Sequence, residues 1–207
     1  MKTKTVNLYE FNELSDSAKE KARQWFKEGN DSDFGEYVYE DFERLMETLG
    51  VEVDTKKCAW RLAYCQGDNA SFTGTCSDIS KLIRGIEKDA WKDYAPKDEL
   101  SFYAPPKMSD WKLNILSNYV TLKADGWSNR YPSTNTELVF DENREFPRVN
   151  NWLNELDEWW KDTCKTLDTY LYKRLRDAHE WETADEQVDE SILANEYTFL
   201  ISGKRED

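Results

Sequence analysis

One long amphipathic segment, residues 147–182, constrains the fold more than any other part of the sequence. Its apolar residues recur at steps of three and four, the spacing that places side chains on one side of a helix. Pro147 suits a first helical turn, because its missing N–H would have no partner there. At 1.5 Å per residue, we predict a helix of about 50 Å. The predicted apolar side comprises Val149, Trp152, Leu153, Leu156, Trp159, Trp160, Cys164, Leu167, Tyr170, Leu171, Leu175 and Ala178, and the polar side comprises Asn154, Glu155, Asp157, Glu158, Lys161, Asp162, Lys165, Asp168, Lys173 and Arg176.

The composition favours one compact domain over residues 1–207, with a frayed tail at 203–207. An aromatic content of 14% in 207 residues can fill a sizeable core. The sequence shows no basic, apolar leader and no stretch of about 18 apolar residues, so we expect a cytoplasmic protein that does not enter a membrane. No metal or cofactor is predicted. The cysteines lack zinc-ligand spacing and are expected to be buried free thiols: Cys58, Cys65, Cys76 and Cys164.

Negative charge is concentrated in two segments of the sequence. The formal net charge is −14, yet residues 28–54 carry −9 and residues 177–196 carry −8, which leaves the remainder slightly positive. Acidic surfaces of this kind repel nucleic acid and attract basic proteins. We therefore predict a partner protein with a basic surface and no direct binding of nucleic acid. Acidic helix faces that serve only solubility are the alternative interpretation.

Local patterns predict an α+β fold in which antiparallel hairpins pack with helices around the long helix. Alternation of period two or strand-like composition predicts strands at 5–9, 58–65, 70–76, 111–123, 127–131, 136–140 and 197–201, with turn signals at 66–69 and 124–126. Four further helices are predicted from capping signals: 15–29 with Ser15, 33–49 with Asp33 and Glu36, 78–94 with Asp78, and 183–195 with Thr183 and Glu186.

The segment 64–74 is the most unusual short stretch and a candidate ligand site. Polar side chains surround two glycines between predicted strands, as expected where the backbone approaches a ligand or turns tightly. A small anionic ligand is one possible occupant. The candidate ligand-binding residues are Gln66, Asp68, Asn69, Ser71, Phe72 and Thr73.

Catalytic patterns are weak throughout, and we predict that the protein is not an enzyme. A hydrolase would need Ser71 with a base, and the only histidine, His179, occurs in a helical pattern more typical of an exposed residue. The acid pairs at 185–186 and 189–190 lack the glycine-punctuated loop of a calcium site. No glycine-rich phosphate loop occurs.

Three motifs resemble a family of small acidic proteins encoded by bacteriophages and prophages. They are ELS-x-x-AK at residues 13–19, QGD-x-A-x-FTG at 66–74 and ANEY-x-F at 194–199. Residues 98–146 lie outside the resemblance. The resemblance implies a phage accessory protein in a bacterial cytoplasm and implies no reaction.

The leading hypothesis is a non-enzymatic inhibitor of a host antiviral, nucleic-acid-handling complex. Carboxylates on two helices would present negative charge to a site made for phosphates. The predicted partner-binding residues are Glu36, Glu40, Glu43, Glu47, Asp185, Glu186, Asp189 and Glu190.

Two other functions are compatible with the sequence. One is sequestration of a small ligand or signalling nucleotide at residues 66–74. The other is a phage assembly component that forms an oligomer through exposed aromatic residues of the long helix, since adjacent Trp159 and Trp160 cannot both face the centre of one stripe.

Overall fold

The structure, a computed structural model, describes residues 6–29, 35–64, 66–95, 99–127, 132–141 and 150–205. It is 55% helical and 17% strand, with antiparallel sheets packed with helices, which confirms the α+β class. Contacts group the chain into two compact units, 1–36 with 177–207 and 37–176. The single domain over 1–207 therefore stays a prediction.

The described part of the chain forms eight strands and six helices, with short 3₁₀ helices at Phe11–Glu13, Thr55–Lys57 and Ala90–Asp93. The strands are β1 (Tyr9–Glu10), β2 (Glu52–Val53), β3 (Ala59–Arg61), β4 (Asn69–Ser71), β5 (Gly74–Cys76), β6 (Val120–Trp127), β7 (Ser133–Phe140) and β8 (Thr198–Phe199). The helices are α1 (Asp16–Gly29), α2 (Glu36–Thr48), α3 (Ile79–Glu87), α4 (Asp110–Tyr119), α5 (Asn150–Glu182) and α6 (Asp185–Ala194).

The first unit joins both ends of the chain. Strands β1 and β8 pair antiparallel, and α1 packs against α6. Gly203 is buried at φ +81°, where an added Cβ would lie 2.0 Å from the carbonyl oxygen of Ala18. The Arg205 guanidinium lies 4.8 Å from the Trp25 ring centroid. Of the predicted tail, Gly203 is therefore buried, whereas Lys204 and Arg205 are exposed. The buried cluster of this unit is Phe11, Leu14, Ala18, Ala22, Val188, Ile192 and Phe199.

The second unit contains a four-stranded antiparallel sheet with the order β2-β5-β6-β7. Strands β3 and β4 form a separate hairpin, as predicted. Successive residues of a strand point to opposite faces of its sheet. Cys76 and its partner Leu122 are accordingly fully buried, whereas Thr75, Lys123 and Glu137 form a row on the opposite face. The sheet thus has one buried face and one open face.

The long helix is confirmed as α5, and its apolar side is buried from Leu156 to Ala178. Both adjacent tryptophans are buried, and each indole N–H has a backbone acceptor. Trp159 donates to the carbonyl oxygen of Tyr103 at 3.2 Å, and Trp160 donates to that of Lys123 at 2.9 Å. Neither tryptophan is therefore exposed for the oligomer contact that their adjacency suggested. Pro147 and Val149 lie outside the described residues.

Residues 111–127 differ most from the sequence prediction. Residues 111–119 belong to α4 and not to a strand, because Leu113 and Leu116 are buried three residues apart while Trp111 is exposed. The predicted turn at 124–126 lies inside β6. Gly126 is required there by a close approach, since an added Cβ would lie 2.9 Å from the Phe72 carbonyl carbon.

Two capping predictions have different outcomes. The Asp78 carboxylate accepts a hydrogen bond from the Lys81 amide at 2.9 Å, so it caps α3 as expected. The capping box at the start of α6 is wrong, because the Thr183 hydroxyl instead donates to the His179 carbonyl at 2.6 Å. Asp33 lies outside the described residues. The described cysteines Cys58, Cys76 and Cys164 are free thiols that are half or fully buried.

Candidate functional site

The predicted carboxylates of α2 lie together on its solvent side. Val38, Phe42, Leu45 and Met46 bury the opposite side of this helix. We call the exposed set the α2 acidic face: Glu36, Glu40, Glu43 and Glu47.

Most of the α2 acidic face is not neutralised by neighbouring cations. Arg44 lies 3.5 Å from both Glu40 and Asp41, at the long end of ion-pair distances. The carboxylates of Glu36, Glu43 and Glu47 form no ion pair with any described residue. The helix therefore holds at least three available negative charges on one side.

The predicted carboxylates of α6 divide into two kinds. Arg23 forms a bidentate pair with Asp189, at 2.6 and 2.7 Å. Lys27 donates to Asp185 at 3.0 Å, and this hydrogen bond lowers the pKa of the Asp185 carboxyl. Glu186 and Glu190 are exposed and form no ion pair within the described ranges. Half of the predicted α6 set is thus committed to holding α6 against α1.

The candidate residues of segment 64–74 do not form one pocket. Ser71 and Phe72 are fully buried, and the Phe72 ring packs edge-on against Phe42 at 5.5 Å. Asp68 accepts a hydrogen bond from the Ala63 amide at 3.0 Å, which closes the turn of the hairpin. The remaining predicted residues diverge, with Gln66 exposed, Asn69 half-buried in β4 and Thr73 half-buried beside the sheet.

Asp168, predicted to face water, is a buried carboxylate that links α5 to β7. Its side chain is 3% exposed and accepts hydrogen bonds from the Thr134 amide at 3.0 Å and the Thr134 hydroxyl at 2.6 Å. Burial raises the pKa of Asp168 to about 7, although both hydrogen bonds act in the opposite direction. The sequence did contain a signal, because Asp168 lies four residues after Cys164 and three before Leu171, both of which belong to the apolar stripe.

Two thiols whose pKa this carboxylate helps to raise, Cys58 and Cys164, are poorly reactive. Burial raises the pKa of the Cys58 thiol to about 12 and that of the Cys164 thiol well above its usual range, and the Asp168 charge adds to both shifts. Both sulfurs are therefore protonated at neutral pH and poorly nucleophilic. Within the described ranges, no group of three or more His, Cys, Asp or Glu side chains could hold a metal ion.

A cleft of about 580 Å³ lies on the open face of the four-stranded sheet. Thr73 is the only predicted ligand-binding residue that lines it. The remaining lining was missed because residues 120–127 were not assigned to one continuous strand, so the side chains that alternate toward this face were not grouped. The charged residues that line the cleft are Glu52, Asp54, Lys57, Lys123, Asp125 and Glu137.

Comparison with known proteins identifies a family of unknown function. The family model described as Domain of unknown function (DUF8835) matches residues 34–185. No curated protein and no solved structure matches the chain. None of the helices in the described ranges combines the length and apolar character needed to span a membrane.

Proposed function

The chain belongs to the DUF8835 family, whose function is unknown, and we propose that it is a non-enzymatic binding protein whose α2 acidic face occupies a basic site on a partner protein. The observation that carries this proposal is the set of exposed α2 carboxylates, Glu36, Glu43 and Glu47, that form no ion pair with a described residue. A net charge of −14 adds a long-range attraction for basic surfaces.

The α2 acidic face is held rigidly enough to bind without a large loss of entropy. Phe42, Leu45 and Met46 are at most 1% exposed, so the helix cannot rotate without disrupting the core. Gly50 ends the helix region at φ +78°, and the Lys81 ammonium donates to the Glu47 carbonyl at 2.9 Å near the C-terminal end. A surface that is ordered before binding loses little conformational freedom in the complex.

We further propose that the partner is a nucleic-acid-handling complex of a bacterial host, in the cytoplasm. A groove that binds phosphates presents lysine and arginine side chains, and exposed carboxylates can occupy the same positions. The resemblance of three motifs to bacteriophage and prophage proteins supports an anti-defence role. Such a complex should weaken as salt is raised, because exposed charges are screened over about 10 Å at 0.1 M salt.

The test compares charge reversal on α2 with the same change elsewhere. The first variant carries Glu36→Lys, Glu43→Lys and Glu47→Lys. The control carries Asp93→Lys, Glu155→Lys and Glu158→Lys, three exposed positions that form no ion pair with a described residue. Both variants have the same net charge, so a difference between them reports the location of the charge.

Affinity purification of each tagged protein from a bacterial lysate, followed by mass spectrometry, supplies the readout. We expect a stoichiometric host protein with the wild type and the control, released as salt is raised, and about a hundredfold weaker binding to the α2 variant. Equal loss in both variants would show that only net charge matters. Retained binding by the α2 variant, with an unchanged circular dichroism spectrum, would disprove the proposal.

Sequestration of a small anionic ligand at residues 66–74 is less well supported. Ser71 and Phe72 are in the core, and the neighbouring cleft carries four acids and two lysines, which disfavours a nucleotide. A saturating thermal shift with a nucleotide that disappears in Asp68→Ala would reverse this ranking.

A further inference from the structure

The cleft on the open face of the sheet contains charged groups of both signs in an ordered arrangement. The register places Glu52 opposite Thr75, Thr75 opposite Lys123 and Lys123 opposite Glu137, so these four side chains form one row across all four strands. Strands are about 4.8 Å apart, so the two glutamates at the ends of the row are about 14 Å apart. Asp125 lies two residues after Lys123 and therefore faces the same side.

The charged groups of this row have no partners within the described structure. Glu52, Lys123, Asp125 and Glu137 form no side-chain hydrogen bond or ion pair with a described residue, although Asp54 pairs with Lys57 at 3.1 Å. Cross-strand neighbours of opposite charge commonly pair. Here Lys123 lies beside Glu137 across the strands without an ion pair, so both charges are available to a ligand.

The order of the charges restricts what can bind. Carboxylates at both ends require cationic groups about 14 Å apart, while the lysine between them requires a hydrogen-bond acceptor. A nucleotide brings phosphates to a cleft with a net charge of −2 and is repelled. A polyamine supplies the cations, but it offers no acceptor to Lys123 when fully protonated. An extended peptide supplies both, because its main-chain carbonyls lie between its side chains.

We propose that this cleft binds an extended basic segment of a partner protein. Two cationic side chains of the segment, four residues apart, contact Glu52 and Glu137 at the two ends of the row. A main-chain carbonyl of the segment between them accepts a hydrogen bond from Lys123. Four residues of extended chain span about 13 Å, which matches the row. A volume of about 580 Å³ suits a short peptide segment. This inference does not depend on the α2 acidic face, because no residue of α2 lines the cleft.

Fluorescence anisotropy with a labelled synthetic peptide tests the proposal on the full chain. The probe is a blocked heptapeptide with arginine at its second and sixth positions and glycine or serine elsewhere. The comparison probes are the same peptide with glutamate in place of arginine, and spermine as an unlabelled competitor. The cleft variants are Glu52→Gln with Glu137→Gln, and Lys123→Met. The matched control is Glu155→Gln with Glu158→Gln, which removes the same charge from α5.

The expected pattern separates the peptide from a simple cation. The arginine peptide should bind saturably and the glutamate peptide should not. Removing both end carboxylates should weaken binding about tenfold, at about 0.7 kcal/mol for each exposed charge pair, while the control changes it less than about twofold. Lys123→Met should weaken peptide binding and strengthen competition by spermine, because it removes a donor to the carbonyl and a repulsion toward the polyamine.

Three results would overturn the proposal. The arginine peptide fails to bind saturably, or it binds the double glutamine variant as tightly as the wild type, or Lys123→Met tightens peptide and spermine alike. The altered side chains are on the open face, so thermal unfolding of each variant should match that of the wild type. Repeating the titration with the α2 charge-reversal variant separates the two proposals, since peptide binding there should be unchanged even if the α2 proposal fails.

Discussion

Helices α2 and α6 have equally acidic sequences, yet their carboxylates have different surroundings. On α2, Glu43 and Glu47 are exposed and form no ion pair with any described residue. On α6, Asp189 forms a bidentate pair with Arg23, and Asp185 accepts a hydrogen bond from Lys27. The first set is available to a partner, whereas half of the second set stabilises the protein itself.

The difference shows that the local density of acids does not determine which acids are available for binding. Arg23 and Lys27 are more than 150 residues away from the α6 acids in sequence, so only the fold brings them together. On α2 the only local base is Arg44, and its contacts are longer. A carboxylate that already forms short, charge-assisted hydrogen bonds has less to gain from a partner.

The largest effect on folding stability is expected at Asp168, a buried carboxylate that forms no ion pair with a described residue. Its pKa is about 7 in the folded protein, against 3.8 as the ordinary value. The folded state therefore binds the proton more tightly, and the stability from this protonation is full below about pH 4 and is lost as the pH rises through 7. Asp168→Asn should remove this loss, which amounts to at most about 4 kcal/mol.

Urea unfolding of wild type and Asp168→Asn across this pH range measures the difference between the two profiles. Asp162→Asn, at a more exposed position of the same helix, is the control and should follow the wild type. Parallel profiles for wild type and Asp168→Asn would show that the pKa of Asp168 is not raised in the folded state.

A smaller loss of folding stability is expected on replacing Arg23, which forms ion pairs with Asp185 and Asp189 of α6. Arg23→Met keeps the apolar stem but removes the bidentate pair with Asp189 and leaves that carboxylate without its closest cation. Because both side chains are partly exposed, we expect a loss of about 1 to 2 kcal/mol. Chemical denaturation measures it, with Arg44→Met on α2 as the matched control, which should change stability by less than about 0.5 kcal/mol. Equal losses of stability in Arg23→Met and Arg44→Met would show that the ion pairs of α6 contribute no more to stability than those of α2.

The smallest effect is expected on the rate of association with the basic partner. Arg44→Met removes the cation nearest to Glu40 and makes the α2 acidic face more negative by one charge. Electrostatic steering should then raise the association rate about twofold at low salt, with little change at high salt. Stopped-flow measurements at two salt concentrations would detect this change. A slower rate at low salt would indicate that Arg44 itself contacts the partner.

Local patterns predicted three features of the fold. The stripe of α5, the turn chemistry of the β3–β4 hairpin and the cap at Asp78 were all predicted correctly. Each depends on residues close together in sequence, since helical periodicity and capping involve neighbours within about four positions.

The errors concern residues whose surroundings come from distant segments. Gly126 resembles a turn residue, but the backbone of Phe72 requires it inside β6. Asp168 was assigned to the polar side of the helix from the sequence pattern. In the fold, Thr134 of β7 donates hydrogen bonds to its buried carboxylate.

The sequence by itself determined the long amphipathic helix, the α+β class and the surplus of acidic side chains, because periodicity and composition are properties of the chain alone. Only the tertiary structure decided which carboxylates are available. Ion pairs such as Arg23 with Asp189, and the row of side chains across β2, β5, β6 and β7, join residues far apart in sequence. Strand register, which local patterning does not specify between distant segments, places Glu52 and Glu137 at the two ends of one cleft.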